Sequence, residues 1–204
     1  MRKTAFIGVG GINSWAGKFL NELYMKLDIN DYYVEIFDKD IVEEKNIVSS
    51  NQNYDEDDLM ENKAEALAKK YGFMFNNVFI TEDNLNLLDN FDDIIMGVDN
   101  NKVRKMVYEY CLTNRKYLLD LRAQGTQVAF YVLDHNKDME YYNKLHFANA
   151  EVMDRKGSCQ MQQDIEEKHV EMGNYNIACL GINMAYLKHI RGETLSTNEF
   201  KFVY

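Results

Sequence analysis

Residues 6–11 read FIGVGG, a short apolar run that ends in glycines and leads directly into a segment with helical periodicity. That segment carries apolar residues on one face: Trp15, Ala16, Phe19, Leu20, Leu23, Tyr24 and Leu27. A glycine turn between a strand and a helix lets backbone N–H groups and the helix dipole meet phosphate oxygens. We therefore expect a doubly wound α/β domain whose first turn, with Gly8, Gly10 and Gly11, holds nucleotide phosphates. A tight turn without a ligand is the alternative.

The first 134 residues alternate strand-like and helix-like segments. This order gives a mostly parallel, Rossmann-like sheet with helices on both faces. Strands are predicted at 3–9, 33–37, 93–98, 117–121 and 128–133, with a weaker one at 78–80, and helices from residue 14 and over 62–71 and 101–114. The last of these helices places Cys111 in the core.

The last third of the chain has a different character. Residues 135–175 are charged and amide-rich without periodicity, and a loop of that length is usually functional or disordered. We expect it on the substrate side of a nucleotide-binding core formed by residues 1–134. Residues 176–204 predict a C-terminal helix and a strand within the same single domain, the helix having a core-facing stripe of Ile177, Leu180, Met184 and Leu187.

Composition excludes several classes of function. The net charge of -10 argues against binding nucleic acid by phosphate neutralisation. No stretch approaches the roughly 18 apolar residues of a membrane span, and the first strand leaves no room for a signal peptide, so we expect a cytoplasmic protein. The three cysteines contain no CxxC pair and the four histidines are scattered, which indicates neither a disulfide framework nor a zinc site.

Acidic residues follow the predicted second strand. Asp38 stands at its carboxyl end, where an acid can accept hydrogen bonds from the ribose hydroxyls of adenosine. An exposed strand-end carboxylate is the alternative, and Asp40 in the following loop has a weaker claim. The dinucleotide fingerprint requires a third glycine where this chain has Asn13, which weakens an NAD interpretation.

Three further residues bear on the class of reaction. Asp99 follows the strand predicted at 93–98 and is placed to hold Mg²⁺ against phosphates, unless it caps the next helix. Lys63 opens a short helix, where it either reaches the β- and γ-phosphates or is solvated. Asn46 lies in the loop after Asp40.

The order of these residues resembles the ThiF, MoeB and HesA-type adenylyltransferases, which are similar to ubiquitin-activating (E1) enzymes. The resemblance covers about residues 3–132 and rests on Gly8, Gly10, Gly11, Asp38, Asp40, Val42, Asn46, Gln52, Lys63, Asp99 and Asn100. The last third is similar to the short ThiF-like proteins of plasmids and phages, through Ser158-Cys159 and the pair Gly173-Asn174.

The resemblance implies ATP and Mg²⁺ as cofactors. The glycine turn and the acids would hold ATP, Asp99 would bind Mg²⁺, and further nucleotide contacts would come from Asn46, Asn51, Gln52, Lys63 and Asn100. The C-terminal carboxylate of a small ubiquitin-like or carrier protein would attack the α-phosphate, giving an acyl-adenylate and pyrophosphate. Cys159 would then form a thioester, or is a surface thiol. The family also implies a homodimer.

One departure from the family concerns its Arg-Gln pair. The alignment that we prefer puts Asn51 and Gln52 there, whereas counting forward from Asn46 puts serines there, so the arginine is missing in either case. Arg104 and Arg122 are candidates to replace it in space. Two alternatives therefore stay open: a catalytically weak or inactive nucleotide-binding scaffold, and, on the glycine turn alone, an NAD(P)-dependent oxidoreductase.

Overall fold

The computed structural model describes residues 1–48, 52–124, 127–134, 169–193, 195 and 199–203. These residues form a sheet of seven strands in the order β3-β2-β1-β4-β5-β6-β7. The strands are β1 (Arg2–Ile7), β2 (Tyr32–Phe37), β3 (Met74–Asn76), β4 (Asp93–Met96), β5 (Tyr117–Gln124), β6 (Gln127–Leu133) and β7 (Glu199–Val203).

Helices connect and cover these strands. They are α1 (Gly11–Lys26), α2 (Glu44–Val48), α3 (Lys63–Tyr71), α4 (Asn101–Thr113), α5 (His169–Leu180) and α6 (Leu187–Ile190). A π-helical segment, Gly181–Tyr186, joins α5 to α6, and 3-10 turns lie at Glu56–Asp58 and Glu82–Leu88. No helix in the described part of the chain is both long and apolar enough to cross a membrane.

The predicted doubly wound sheet is confirmed. Strands β1 to β5 are parallel to one another, β6 pairs antiparallel with β5, and β7 pairs antiparallel with β6. Successive residues of β1 point to opposite faces, with Phe6 in the core beneath α1 and with Ala5 and Ile7 in the core beneath α4. Strands β2 and β3 lie on one side of β1, and β4 and β5 lie on the other. The order of the strands therefore switches sides at β1. The carboxyl ends of β1 and β4 form the switch point, where such sheets bind ligands.

The predicted position of one strand was wrong. Residues 78–80 do not form a strand; Met74–Asn76 pairs with β2 instead. In this short edge strand Met74 and Phe75 are exposed, whereas the Ile80 side chain is buried in the core beneath α4 although its backbone does not pair in the sheet. In contrast, the prediction for Cys111 is confirmed: its side chain is fully buried, and burial raises the pKa of the thiol.

The C-terminal helix differs from its prediction in start and in face. It begins at His169, inside the segment expected to be a loop. Met184 is 45% exposed rather than in the core. The buried residues recur at a spacing of about four, between the turns of an α- and a π-helix: Ile177, Ala178, Gly181, Ile182, Ala185 and Tyr186.

A buried polar network holds this helix at the amino-terminal edge of the sheet. Asp93, on β4, receives hydrogen bonds from the Tyr186 hydroxyl at 2.8 Å and from the Arg2 guanidinium at 2.9 Å. The His189 ring is also 2.9 Å from the same carboxylate. The Tyr186 hydroxyl lies 2.8 Å from the hydroxyl of Thr4. The network therefore joins β1, β4 and the C-terminal helical segment.

Candidate functional site

A cavity of about 420 Å³ opens at the carboxyl ends of β1, β2 and β4, at the switch point of the sheet. Its volume lies in the range typical of small-ligand sites. The structure brings most of the predicted residues together on its walls: Gly8, Gly10, Gly11, Asp38, Asp40, Gln52, Lys63, Asp99 and Asn100. Residues that are distant in sequence thus share one site because parallel strands end at one edge.

The glycine turn forms the floor of this cavity. Gly8 has a φ of +73°, and a Cβ there would lie 2.7 Å from Val98 Cγ1. Both the backbone conformation and the lack of space therefore require glycine at this position. The N-cap of α1 is Gly10, which offers no side-chain hydrogen bond to the helix start. An N-terminus without a side-chain cap presents backbone N–H donors and the positive end of the helix dipole, which suits an anion.

Asn13 occupies the place of the third glycine in a dinucleotide fingerprint. Its buried side-chain amide donates to the carbonyls of Ile7 at 3.2 Å and Gly8 at 2.8 Å, and lies 3.4 Å from that of Ile95. A Cβ on Gly97 would approach Asn13 Cγ to 2.6 Å. Asn13 therefore ties the ends of β1 and β4 together beneath the turn, which explains why the chain keeps an amide here.

Asp38 is buried at the end of β2 and helps to shape the turn. One carboxylate oxygen accepts the N–H of Val9 at 2.8 Å, and the other accepts the N–H of Asp40, also at 2.8 Å. Burial raises the pKa of Asp38, although these backbone bonds and Lys63 oppose the rise. Each oxygen keeps a second lone pair, so the carboxylate can still accept a ligand hydroxyl.

Lys63 enters the cavity from the first turn of α3. Its side chain is only 10% exposed, and its Nζ lies 3.9 Å from an oxygen of Asp40. Asn62 fixes this helix start, because its Oδ1 accepts the N–H of Glu65 while its Nδ2 donates to the carbonyls of Asp38 and Asp40, each bond 3.0 Å long. Lys63 is thus held beside the end of β2, and it lines the same cavity as the glycine turn.

Asp99 and Asn100 follow β4 and have separate roles. Asn100 is the N-cap of α4, since its Oδ1 accepts the N–H groups of Lys102 at 2.9 Å and Val103 at 3.2 Å. The interpretation of Asp99 as the helix cap is therefore not what the structure shows. Asp99 is exposed and lines the cavity, which leaves its carboxylate within reach of a ligand.

Of the two arginines considered as replacements, Arg104 lies on the cavity wall. It is buried, and its guanidinium is bound by the carboxylate of Asp120 and by the carbonyls of Val98 and Leu121. Arg122 binds the same carboxylate through Nε at 2.8 Å and is not among the cavity's described lining residues. Arg104 therefore lies on the cavity wall with its guanidinium fixed by Asp120 and by two backbone carbonyls.

Of the remaining predicted residues, Gln52 lines the cavity and Asn46 does not, while two others lie outside the described part of the chain. Asn46 is buried, and its Oδ1 accepts the N–H of Glu43 at 2.8 Å, so it orders the start of α2. Asn51 and Cys159 lie outside the described residues. Gln52 reaches the cavity, and its buried Oε1 has no hydrogen-bond partner within the part of the chain that the structure describes.

Asn174 is a cavity residue that sequence reasoning did not place in the site. It comes from α5, is 1% exposed and lines the cavity beside the glycine turn. A Cβ on Gly11 would lie 2.2 Å from its Nδ2. The only sequence signal was the Gly173-Asn174 pair of the resemblance, which carried no role because the contact between α1 and α5 is a tertiary one.

The fit between Gly11 and Asn174 leads to a stability prediction. We expect Gly11→Ala to lower the free energy of unfolding by about 1–3 kcal/mol, because the new methyl group overpacks the side chain. In an Asn174→Ala background the same change should be neutral or stabilising by up to about 1 kcal/mol, as alanine favours a helix. Urea denaturation of the four proteins measures the coupling.

Gly10→Ala is the matched control, since a Cβ there meets no atom within 4 Å. Its effect on stability should be independent of residue 174. An equal loss from Gly11→Ala in both backgrounds would show that the two residues are not in contact.

Comparison with known proteins supports the fold and places the chain in a family. Among solved structures, E. coli MccB with ATP gives a TM-score of 0.71 at 17% identity, over 100% of this chain and 60% of that one. MccB with AMPCPP and MccA gives 0.69 at 17% identity, over 100% and 60%. PaaA gives 0.65 at 17% identity, over 100% and 61%.

At this level of identity the likeness shows the fold, and the chain spans about three fifths of the length of these proteins. None of the curated proteins compared with the chain matches it significantly. The model of the ThiF family matches residues 2–186. Because that match covers most of the sequence, this protein belongs to the ThiF family, as its glycine turn and ordered polar residues predicted.

Proposed function

We propose that this chain uses ATP and Mg²⁺ to adenylate the C-terminal carboxylate of a small ubiquitin-like or carrier protein. The observation that carries the proposal is a single cavity that combines the start of α1, the cation of Lys63 and the carboxylate of Asp99. Family membership supports it, as does the shared fold of MccB, which has been solved with ATP and with AMPCPP and MccA.

The cavity offers separate surfaces for the parts of ATP. Phe79, Ile80 and Val98 provide apolar wall for a base. Asp38 accepts a ribose hydroxyl with the lone pairs that its backbone bonds leave over. The backbone N–H groups at the start of α1 donate hydrogen bonds to phosphate oxygens. These bonds align the triphosphate along the carboxyl ends of the strands.

Cations then neutralise the charge that develops during the reaction. Lys63 is held in the cavity beside Asp40, and Arg104 is fixed in the wall, so neither has to be ordered when the transition state forms. A carboxylate oxygen of the carrier protein attacks the α-phosphorus, a new P–O bond forms, and the bond to the bridging oxygen breaks. Pyrophosphate leaves with that bonding electron pair.

Asp99 is the residue that would hold Mg²⁺. Mg²⁺ typically uses one or two protein carboxylates together with substrate phosphates, and an exposed carboxylate on the cavity wall fits that donor set. When bound, the ion supplies charge neutralisation at the phosphates.

We further propose, from the family resemblance, a cytoplasmic homodimer and a second step at Cys159. In that step the thiolate attacks the acyl carbon of the adenylate, forming a thioester as AMP leaves. Cysteine nucleophiles of this kind require an activating environment.

Exchange of labelled pyrophosphate into ATP tests the proposal. The protein is incubated with ATP, Mg²⁺, labelled pyrophosphate and each small protein encoded by a neighbouring gene. We expect label in ATP only when the correct carrier is present, because exchange requires reversible adenylation. Folded protein that binds ATP yet exchanges no label with any carrier would support a nucleotide-binding scaffold instead.

A thermal-shift comparison tests the choice of nucleotide. Preferential binding to the native state raises the apparent stability, so ATP with Mg²⁺ should raise the melting temperature more than NAD does. A larger rise with NAD would favour an oxidoreductase.

A further inference from the structure

We infer that Asn174 is a ligand-binding residue, and that its side-chain amide donates a hydrogen bond to a phosphate oxygen bound at the start of α1. The inference rests on the proposed function, because it assumes that the cavity holds ATP. It concerns a residue of α5, far in sequence from the glycine turn, Lys63 and Asp99.

The first argument is placement. Helix α5 packs along α1 through a shared core that includes Ile12, Ala16, Ile177 and Ala178. This packing brings Asn174 against the helix start, where its side chain is 1% exposed and yet lines the cavity. A polar side chain that is buried from bulk solvent but open to a ligand cavity belongs to the wall of that cavity.

The second argument is the fit to Gly11. From the point where a Cβ would lie on this glycine, Asn174 Nδ2 is 2.2 Å away, Cγ 3.0 Å and Oδ1 3.4 Å. The amide nitrogen is therefore the part of the side chain nearest to the helix start. Only glycine at position 11 leaves room for the Asn174 amide. Gly11 therefore lets this side chain, as well as a phosphate, come close to the start of α1.

The third argument is chemical complementarity. The side-chain NH₂ group carries two donors, so one of them can serve a ligand oxygen. It lies beside a helix start whose N-cap, Gly10, contributes no side-chain hydrogen bond. An amide donor and the positive end of a helix dipole both favour an anion, and burial makes each of them stronger than in water.

Equilibrium binding of ATP with Mg²⁺ and of adenosine tests the assignment, because adenosine keeps the base and ribose but lacks phosphate. We expect Asn174→Asp to raise the Kd for ATP about 10-fold or more, since it removes a donor and adds a like charge. The Kd for adenosine should change less than about 2-fold. Asn174→Ala, which adds no charge, should weaken ATP binding by a smaller factor.

Asn183→Asp is the matched control. Asn183 lies farther along the same C-terminal helix, is exposed and donates to the carbonyl of Cys179 at 3.1 Å, so this change should leave both dissociation constants unaltered. Adenosine binding also reports that each Asn174 variant is folded.

Two results would overturn the assignment: Asn174→Asp binding ATP as tightly as the wild type, or ATP and adenosine weakening in parallel. Selective loss of ATP by this variant would support it even if the wild type fails to exchange pyrophosphate. In that case the adenylation proposal fails and the Asn174 contact stands.

Discussion

Replacing Lys63 by alanine is expected to lower carrier-dependent exchange of pyrophosphate into ATP by about 10²- to 10³-fold, the usual effect of losing one well-placed charge donor. Its Nζ is held in the cavity 3.9 Å from Asp40, so the cation is in place before the reaction. Without the Lys63 cation, the negative charge of Asp40 is no longer offset from within the cavity, and its repulsion of the phosphates adds to the loss. Exchange rates at saturating ATP measure the effect.

Lys105→Ala provides the control for this experiment. Lys105 is an exposed residue of α4 that does not line the cavity, so its loss should leave exchange within about 2-fold of the wild type. Asp40→Asn separates the lysine's own role from the charge of its neighbour. If Lys63→Ala exchanges at the wild-type rate with normal carrier dependence, Lys63 does not act on the phosphates.

Replacing Asp93 by alanine should lower the free energy of unfolding by about 2–4 kcal/mol, because it leaves the buried Tyr186 hydroxyl and the half-buried Arg2 guanidinium without this acceptor, and solvent screens part of the loss at Arg2. The Asp93 side chain is 1% exposed and accepts hydrogen bonds from Arg2 and Tyr186, with His189 in reach of the same carboxylate. Denaturation by urea measures the loss.

The pH dependence of this loss follows from the direction of the pKa shift. Burial by itself raises the pKa of Asp93, but bonds from Arg2 and His189 outweigh it and hold the pKa below its ordinary value. The stabilisation is therefore complete above the unfolded pKa of about 3.9 and is lost as pH falls through the lowered folded value. The difference in the free energy of unfolding between the wild type and an Asp93→Asn variant, whose side chain cannot ionise, should narrow only at acid pH.

Asp92→Ala is the neighbouring control. Asp92 is exposed and accepts the N–H of Lys3 at 2.9 Å, so its replacement should cost no more than about 1 kcal/mol. Equal losses from Asp92→Ala and Asp93→Ala would mean that the buried network contributes no special stability. Loss at Asp93 that stays constant down to pH 2 would contradict the lowered pKa.

Much of the cavity was predictable because its residues follow a simple geometric rule. Each of Gly8, Asp38 and Asp99 follows the carboxyl end of a parallel strand, and such ends meet at one edge. The first strand, turn and helix were predictable for a second reason, because hydrophobic periodicity and the spacing of glycines are local signals. Both signals are written in consecutive residues.

The contributions of the last third were not local and could not be predicted. Asn174 reaches Gly11 only because α5 packs on α1, and no pattern within α5 specifies that partner. The π-helical segment shifts the buried face, so that an α-helical stripe wrongly placed Met184 in the core. In the sequence, Asn13 was noted only because it stands where a dinucleotide fingerprint has its third glycine. Its structural role depends on hydrogen bonds to carbonyls of two different strands.

The C-terminal helix also bears on the order in which the protein matures during synthesis. Translation produces the glycine turn, Lys63 and Asp99 first, whereas Asn174 and Tyr186 emerge from the ribosome later. A nascent chain therefore has every motif of the nucleotide core while the wall beside α1 and the network around Asp93 are both incomplete. The cavity at the carboxyl ends of the strands and the network around Asp93 at their amino ends are both completed by the same late helical segment, so the two form together.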